Sequence, residues 1–283
     1  MNVLATTDGS APSLQTIPHA AAIARATNAG LVLLRVLDAR LDVGGVLVTQ
    51  LEEAVATTTA RWQHELEAAL AAAGVEGTPL VARKGRDEEA RATILRAASE
   101  HDASLIAMAT RGAGRLRHAL LGSNTLGVVG ASDLPVMVTG SAIEPPPTGV
   151  PYRVVATTDG SAASRVAMRA LGPLLAGATS SEVTLLRLVW PGANEGRDAA
   201  EADLRDLRAT LPPDLRVTEL VRETPMVEGV ATAIISAAKE LGASTIAMAT
   251  HGHGAAYHLF AGSVALGVVG HSPLPVILVG ARK

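Results

Sequence analysis

Residues 3 to 11, VLATTDGSA, return as VVATTDGSA at 154 to 162, and a chain that repeats itself at this distance is built from two copies of one domain. IAMATRGAG at 106 to 114 has its counterpart in IAMATHGHG at 246 to 254, and GVVGASDLPVMVTG at 127 to 140 in GVVGHSPLPVILVG at 267 to 280. The first offset is 151 residues and the other two are 140, so the first half carries 11 extra residues. Between the halves, SAIEPPPTGVP at 141 to 151 is rich in proline and can continue neither helix nor sheet. The expected organisation is a domain at 1 to 140, a linker at 141 to 151 and a second domain at 152 to 283, each long enough to bury its own core.

Within each half, short β-branched apolar runs alternate with helical patterns, which is the βαβ signature. In the first half, VLATT is followed by an Ala-rich helix over about 12 to 29 and a strand at 31 to 37. A helix over 50 to 73, a strand at 78 to 83, a helix over 88 to 101, the strand SLIAMAT, a helix over 122 to 130 and the strand PVMVT complete the domain. The second half predicts strands near 153 to 158, 182 to 189, 215 to 221, 244 to 250 and 275 to 279. Strands that are apolar throughout belong in a parallel sheet covered on both faces, so the fold class is α/β, two tandem doubly wound domains of five parallel strands each.

Composition removes several functions. Hydrophobic residues make up 48% and charged residues 18%, which argues against a disordered chain. A formal charge of −3, with one Phe, two Tyr and two Trp, offers neither the basic field nor the stacking platforms of a nucleic-acid binder. With no Cys there is no disulfide, thiolate metal site or cysteine nucleophile. No signal-peptide pattern and no apolar run long enough for a membrane span is present, so the expectation is a cytoplasmic protein without membrane contact.

Ligands of open parallel sheets bind beyond the carboxyl ends of the strands, where strand order reverses, so the residues after the first and fourth strands carry the interest. The first strand leads into Thr6, Thr7, Asp8, Gly9 and Ser10, repeated as Thr157, Thr158, Asp159, Gly160 and Ser161. Asp8 and Asp159 suit ribose hydroxyls or a cation; the alternative is helix capping, an equally good account of the serines. After the fourth strand, Gly112 is followed nine residues later by Gly122 and Ser123, and Gly252 likewise by Gly262 and Ser263. A glycine lets the backbone approach a phosphate, and Gly-Ser at a helix start offers free N–H groups and the positive dipole end.

On these residues the chain resembles the universal stress protein family in its tandem form, over nearly its whole length. Nucleotide-binding members carry Gly, two residues, Gly, nine residues, then Gly and Ser or Thr. Here the pattern starts at Ala109 and Ala249 in place of the first glycine, and the other three positions match. The resemblance implies strand order 3-2-1-4-5 in each domain and an ATP-binding stress-response regulator, with ADP or AMP as alternatives and Mg2+ accompanying the nucleotide. It implies ribose or magnesium contacts at Asp8 and Asp159, and adenine against the backbone at Val36 and Leu188. Phosphates would meet Gly112, Gly122, Ser123, Asn124 and Thr125 in the first domain, and Gly252, Gly262, Ser263 and Val264 in the second. Asn124 and Thr125 add polar side chains where the second half has Val264 and Ala265, making the first domain the better phosphate site. Arg111, Arg115 and Arg117 add positive charge to its loop, or form a solvated face.

Other chemistries fit less well. GxGxxG is incomplete and follows the wrong strand, and GxxxxGK is absent, so neither a dehydrogenase nor a P-loop hydrolase is expected. His251, His253 and His258 cluster but have no matching set in the first half beyond His118. No conventional catalytic site is expected, and at most slow ATP hydrolysis or autophosphorylation. The competing function is a nucleotide-free scaffold in which the alanines close the phosphate cradle. The apolar last strands at 135 to 139 and 275 to 279 need covering. By resemblance the halves pair through them, and two chains form a homodimer that meets an unidentified protein partner. The extra segment at 42 to 49 is a candidate interface flap or ligand lid.

Overall fold

The structure, a computed structural model, describes residues 1 to 44, 48 to 110, 121 to 176, 181 to 190, 196 to 224, 229 to 250 and 262 to 280. In the first half, β1 (Asn2–Thr6) is followed by α1 (Ala11–Leu14), α2 (Thr16–Ala26), β2 (Gly30–Leu37), α3 (Ala39–Asp42) and a 3-10 turn (Val48–Gln50). Then come α4 (Leu51–Ala72), β3 (Thr78–Arg83), α5 (Ala90–Glu100), β4 (Ala103–Ala109), α6 (Ser123–Ala131) and β5 (Val136–Thr139). The second half has β6 (Tyr152–Thr158), α7 (Ala162–Leu175), β7 (Ser181–Val189), α8 (Arg197–Arg208) and β8 (Arg216–Glu223). It ends with α9 (Val230–Glu240), β9 (Thr245–Ala249), α10 (Ser263–His271) and β10 (Val276–Val279).

All ten strands join one sheet in the order β3-β2-β1-β4-β5-β10-β9-β6-β7-β8, so each half has the order 3-2-1-4-5. Pairing is parallel within each half. At the junction β5 and β10 run antiparallel, with Met137 opposite Ile277. Because both faces are covered, successive residues of a strand enter opposite cores: Val3 and Ala5 join one, Leu4 the other. One core packs α2, α4, α7 and α8 on the sheet, the other α5, α6, α9 and α10, and each contains residues of both halves. The edges between domains are thereby removed rather than left as templates for aggregation.

One expected element differs. The helix read over 12 to 29 is broken at Gln15 into α1 and α2. Pro18 has no N–H for the carbonyl four residues back, and it is tolerated only because it falls in the first turn of a new helix. In the second half Arg169 occupies that place, and α7 runs unbroken from Ala162. Elsewhere element limits differ from expectation by one or two residues.

Candidate functional site

Gly9 at φ +82° and Gly160 at φ +75° turn the chain out of β1 and β6, a conformation that disfavours any side chain. The turns place Asp8 and Asp159 at exposed tips beyond the sheet. Each is pinned alike: Ser10 N–H donates to Asp8 Oδ1 at 3.0 Å, and Ser161 N–H to Asp159 Oδ1 at 3.0 Å. Thr7 and Ser13 share a hydroxyl hydrogen bond of 2.8 Å, matched by Thr158 and Ser164 at 2.9 Å. The helix-cap alternative holds for one copy: Ser161 Oγ accepts from Ser164 N–H at 3.1 Å, whereas Ser10 makes no cap and donates to Ser13 Oγ at 3.2 Å. Ser13 in turn donates to Asp8 Oδ1 at 2.8 Å.

Beyond the ends of β1, β2 and β4 the first half contains a cleft of about 720 Å³, within the usual size of small-molecule sites. Thr6, Thr7, Asp8, Val36, Ala109, Ser123, Asn124 and Thr125 all line it. Gly122 stands just behind as the residue preceding α6, its N–H donating to the Thr110 carbonyl at 2.6 Å, and Thr125 Oγ1 donates to the Ala109 carbonyl at 2.9 Å. Those two bonds tie the start of α6 to the end of β4. The start of α6 has no side-chain cap, and Ser123, Asn124 and Thr125, whose N–H groups are left without partners inside the helix, line the cleft at the positive end of the helix dipole. Ala109 lies in extended β4 rather than in the left-handed region, so alanine there adds a methyl group without backbone strain.

Several lining residues were not singled out by sequence. Arg35 lies 3.7 Å from the Trp62 ring centre and pairs with Glu65 at 2.6 Å. Lys84 Nζ pairs with Asp38 Oδ2 at 3.0 Å and donates to the Glu88 carbonyl at 2.8 Å. Burial pushes the Asp38 carboxyl upward, but Lys84 and the Arg40 N–H outweigh it and hold the group below the usual carboxylate range. Glu88 is also held low, chiefly by the Gly85 N–H. Five acidic side chains against three basic ones line the cleft, so the described walls favour a ligand that brings a cation with it.

The second half repeats the frame with different tips. Thr157 and Thr158 end β6, Asp159 follows, Leu188 lies in β7, Ala249 ends β9, and Gly262, Ser263 and Val264 open α10. Gly262 N–H donates to the Thr250 carbonyl at 2.6 Å, as its counterpart does. The residues after β2 and β3, Asp38 and Lys84, correspond to Trp190 and Thr224, fixed by the equivalent bonds Lys84 N–H to Leu37 C=O (2.8 Å) and Thr224 N–H to Val189 C=O (2.9 Å). Arg187 is buried beside Asp203 at 3.6 Å, and Arg165 reaches Asp203 at 2.6 Å. Gly112, Gly252, the loop arginines and histidines, and 45 to 47 of the extra segment lie outside the described residues. Among the described residues no cluster fit to hold a metal is present, and no helix is long and apolar enough to cross a membrane.

Comparison with solved structures shows the same fold. A universal stress protein from Archaeoglobus fulgidus DSM 4304 matches at 20% identity over 99% of this chain and 96% of that one, with a TM-score of 0.65. A functionally unknown protein from Pseudomonas aeruginosa PAO1 matches at 14% identity over 99% and 92%, with a TM-score of 0.56. No curated protein matches. The model of the universal stress protein family matches twice, at residues 1 to 140 and 152 to 280. Two matched segments, a sheet switch point in each and the repeated turn and helix starts agree, and the chain belongs to the universal stress protein family.

Proposed function

We propose that the protein is an adenine-nucleotide-binding regulator of the stress response that holds its nucleotide, with Mg2+, in the first domain. The observation that carries this reading is the cleft where β1 and β4 diverge, with Asp8 on one side and the uncapped start of α6 on the other. The α6 N–H groups would take phosphate oxygens, Asp8 a ribose hydroxyl or the cation, and the backbone at Val36 the base. Mg2+ would offset the acidic excess of the walls. Occupancy then biases the loop after β4 and the surface shown to a partner.

The experiment is to denature freshly purified protein and identify released nucleotide by chromatography and mass, per mole of chain. One adenylate per chain supports the reading, and two would add the second domain. None, with no thermal shift on adding Mg-ATP, refutes it. A nucleotide-free scaffold is the second reading, favoured by Ala109, whose methyl group lines the place where a phosphate would sit. Ala109→Gly distinguishes them: on the scaffold reading it creates Mg-ATP binding that the natural chain lacks.

A further inference from the structure

Sheet order gives the cleft two ends. Lys84 follows β3, Val36 is in β2, the Asp8 turn follows β1, and Ala109 and the start of α6 follow β4. These strands lie side by side, three steps of about 4.8 Å, roughly 14 Å from end to end. That is comparable to an extended nucleotide. With phosphates at α6 and ribose at Asp8, the base falls over the tips of β2 and β3.

At that end the structure holds a charged pair whose places in the second half are taken by Trp190 and Thr224. Asp38 and Lys84 both line the cleft, and their side chains are only 21% and 14% exposed. Asp38 Oδ1 accepts from Arg40 N–H at 3.0 Å and Oδ2 faces Lys84, while Lys84 also donates to Glu88. The carboxylate keeps further lone pairs and the ammonium a third proton. Beside them Leu41, in α3 just before the extra segment of the first half, lines the cleft although 81% exposed.

Resting on the nucleotide reading above, we propose that Asp38, Leu41 and Lys84 form a base subsite that selects adenine over guanine. Leu41 covers the ring, Asp38 accepts from the exocyclic amino group, and Lys84 donates to the adjoining ring nitrogen. Guanine sets a carbonyl oxygen where adenine has its amino group, so an acceptor meets the carboxylate and the pairing fails. Trp190 and Thr224 cannot reproduce this pair, so the second domain has no such selection.

The test is calorimetric titration of the full chain with Mg-ATP and Mg-GTP, for the natural protein and for Asp38→Asn, Lys84→Met and Leu41→Ala, with circular dichroism to show that each folds. The natural protein prefers ATP by about tenfold or more, and Asp38→Asn and Lys84→Met bring the ratio within about threefold. Leu41→Ala weakens both nucleotides by about fivefold and leaves the ratio unchanged. Loss of the α3 cap alone would weaken both nucleotides equally, so the ratio separates base reading from scaffolding. ATP binding whose preference survives Asp38→Asn and Lys84→Met overturns the subsite and leaves the nucleotide reading standing. Binding of neither nucleotide overturns both.

Discussion

His19 lies in α2, 3% exposed, with its imidazole hydrogen-bonded to the Glu144 carbonyl of the linker. Burial disfavours the imidazolium and the Glu144 carbonyl offsets this only in part, so the pKa is lowered from 6.5 to about 4. Between those values the unfolded chain binds a proton that the folded chain refuses. Stability is therefore full above about pH 6.5 and falls on acidification, by about 3 kcal/mol once the pH reaches the folded value. Between pH 7 and 5 the loss is about 2 kcal/mol. The carboxyls held low, among them Asp38, Glu52, Glu88 and Glu240, contribute their own losses below this window, and comparison with a variant of His19 separates this histidine from the other seven. His19→Gln keeps a donor for Glu144 and cannot be protonated. Urea unfolding at pH 7, 6 and 5 should give a natural protein that loses about 2 kcal/mol more than the variant. Parallel pH profiles for the two would refute the reasoning.

Asp8→Ala should weaken Mg-ATP binding by about tenfold or more, since a charge-assisted contact contributes roughly 1.5 to 3 kcal/mol; unchanged calorimetric affinity would remove Asp8 from the site. Met137→Asp buries an unpaired carboxylate opposite Ile277 at the junction of the halves and should cost more than about 4 kcal/mol in urea unfolding. Gly9→Ala should cost about 1 to 2 kcal/mol of left-handed strain. Gly160→Ala should cost clearly more, because its new methyl group would overlap the buried Arg187 guanidinium; equal melting losses would contradict that packing.

The sheet was legible because its signals are local and doubled. Apolar runs such as SLIAMAT can be covered only on both faces, and each run occurs twice at fixed offsets. The break at Gln15 is not legible because the Ala-rich pattern continues across it, and only the missing N–H of Pro18 interrupts the ladder. In the candidate site, the turn at Asp8 and the start of α6 are legible as repeated features because both halves keep them. Asp38, Lys84 and Trp62 are not, since they come together only when β2, β3 and α4 pack, and two of them belong to what the halves do not share. A search for repetition favours the common frame over the feature that distinguishes one copy.

The divergence at the strand tips has a physical direction. In the second half Trp190 and the buried Thr224 replace a charged pair, and Arg187 is closed in against Asp203. In the first half the equivalent arginine lies on Trp62 and pairs with the half-exposed Glu65, while Asp38 and Lys84 remain at a cleft wall. Keeping ionised groups partly desolvated at a cleft wall gains little stability over an apolar filling. Both halves share one sheet and both cores, so folding alone gives no reason for one set of tips to stay polar. A ligand that supplies hydrogen bonds to Asp38 and Lys84 gives that reason, and it concerns the first domain.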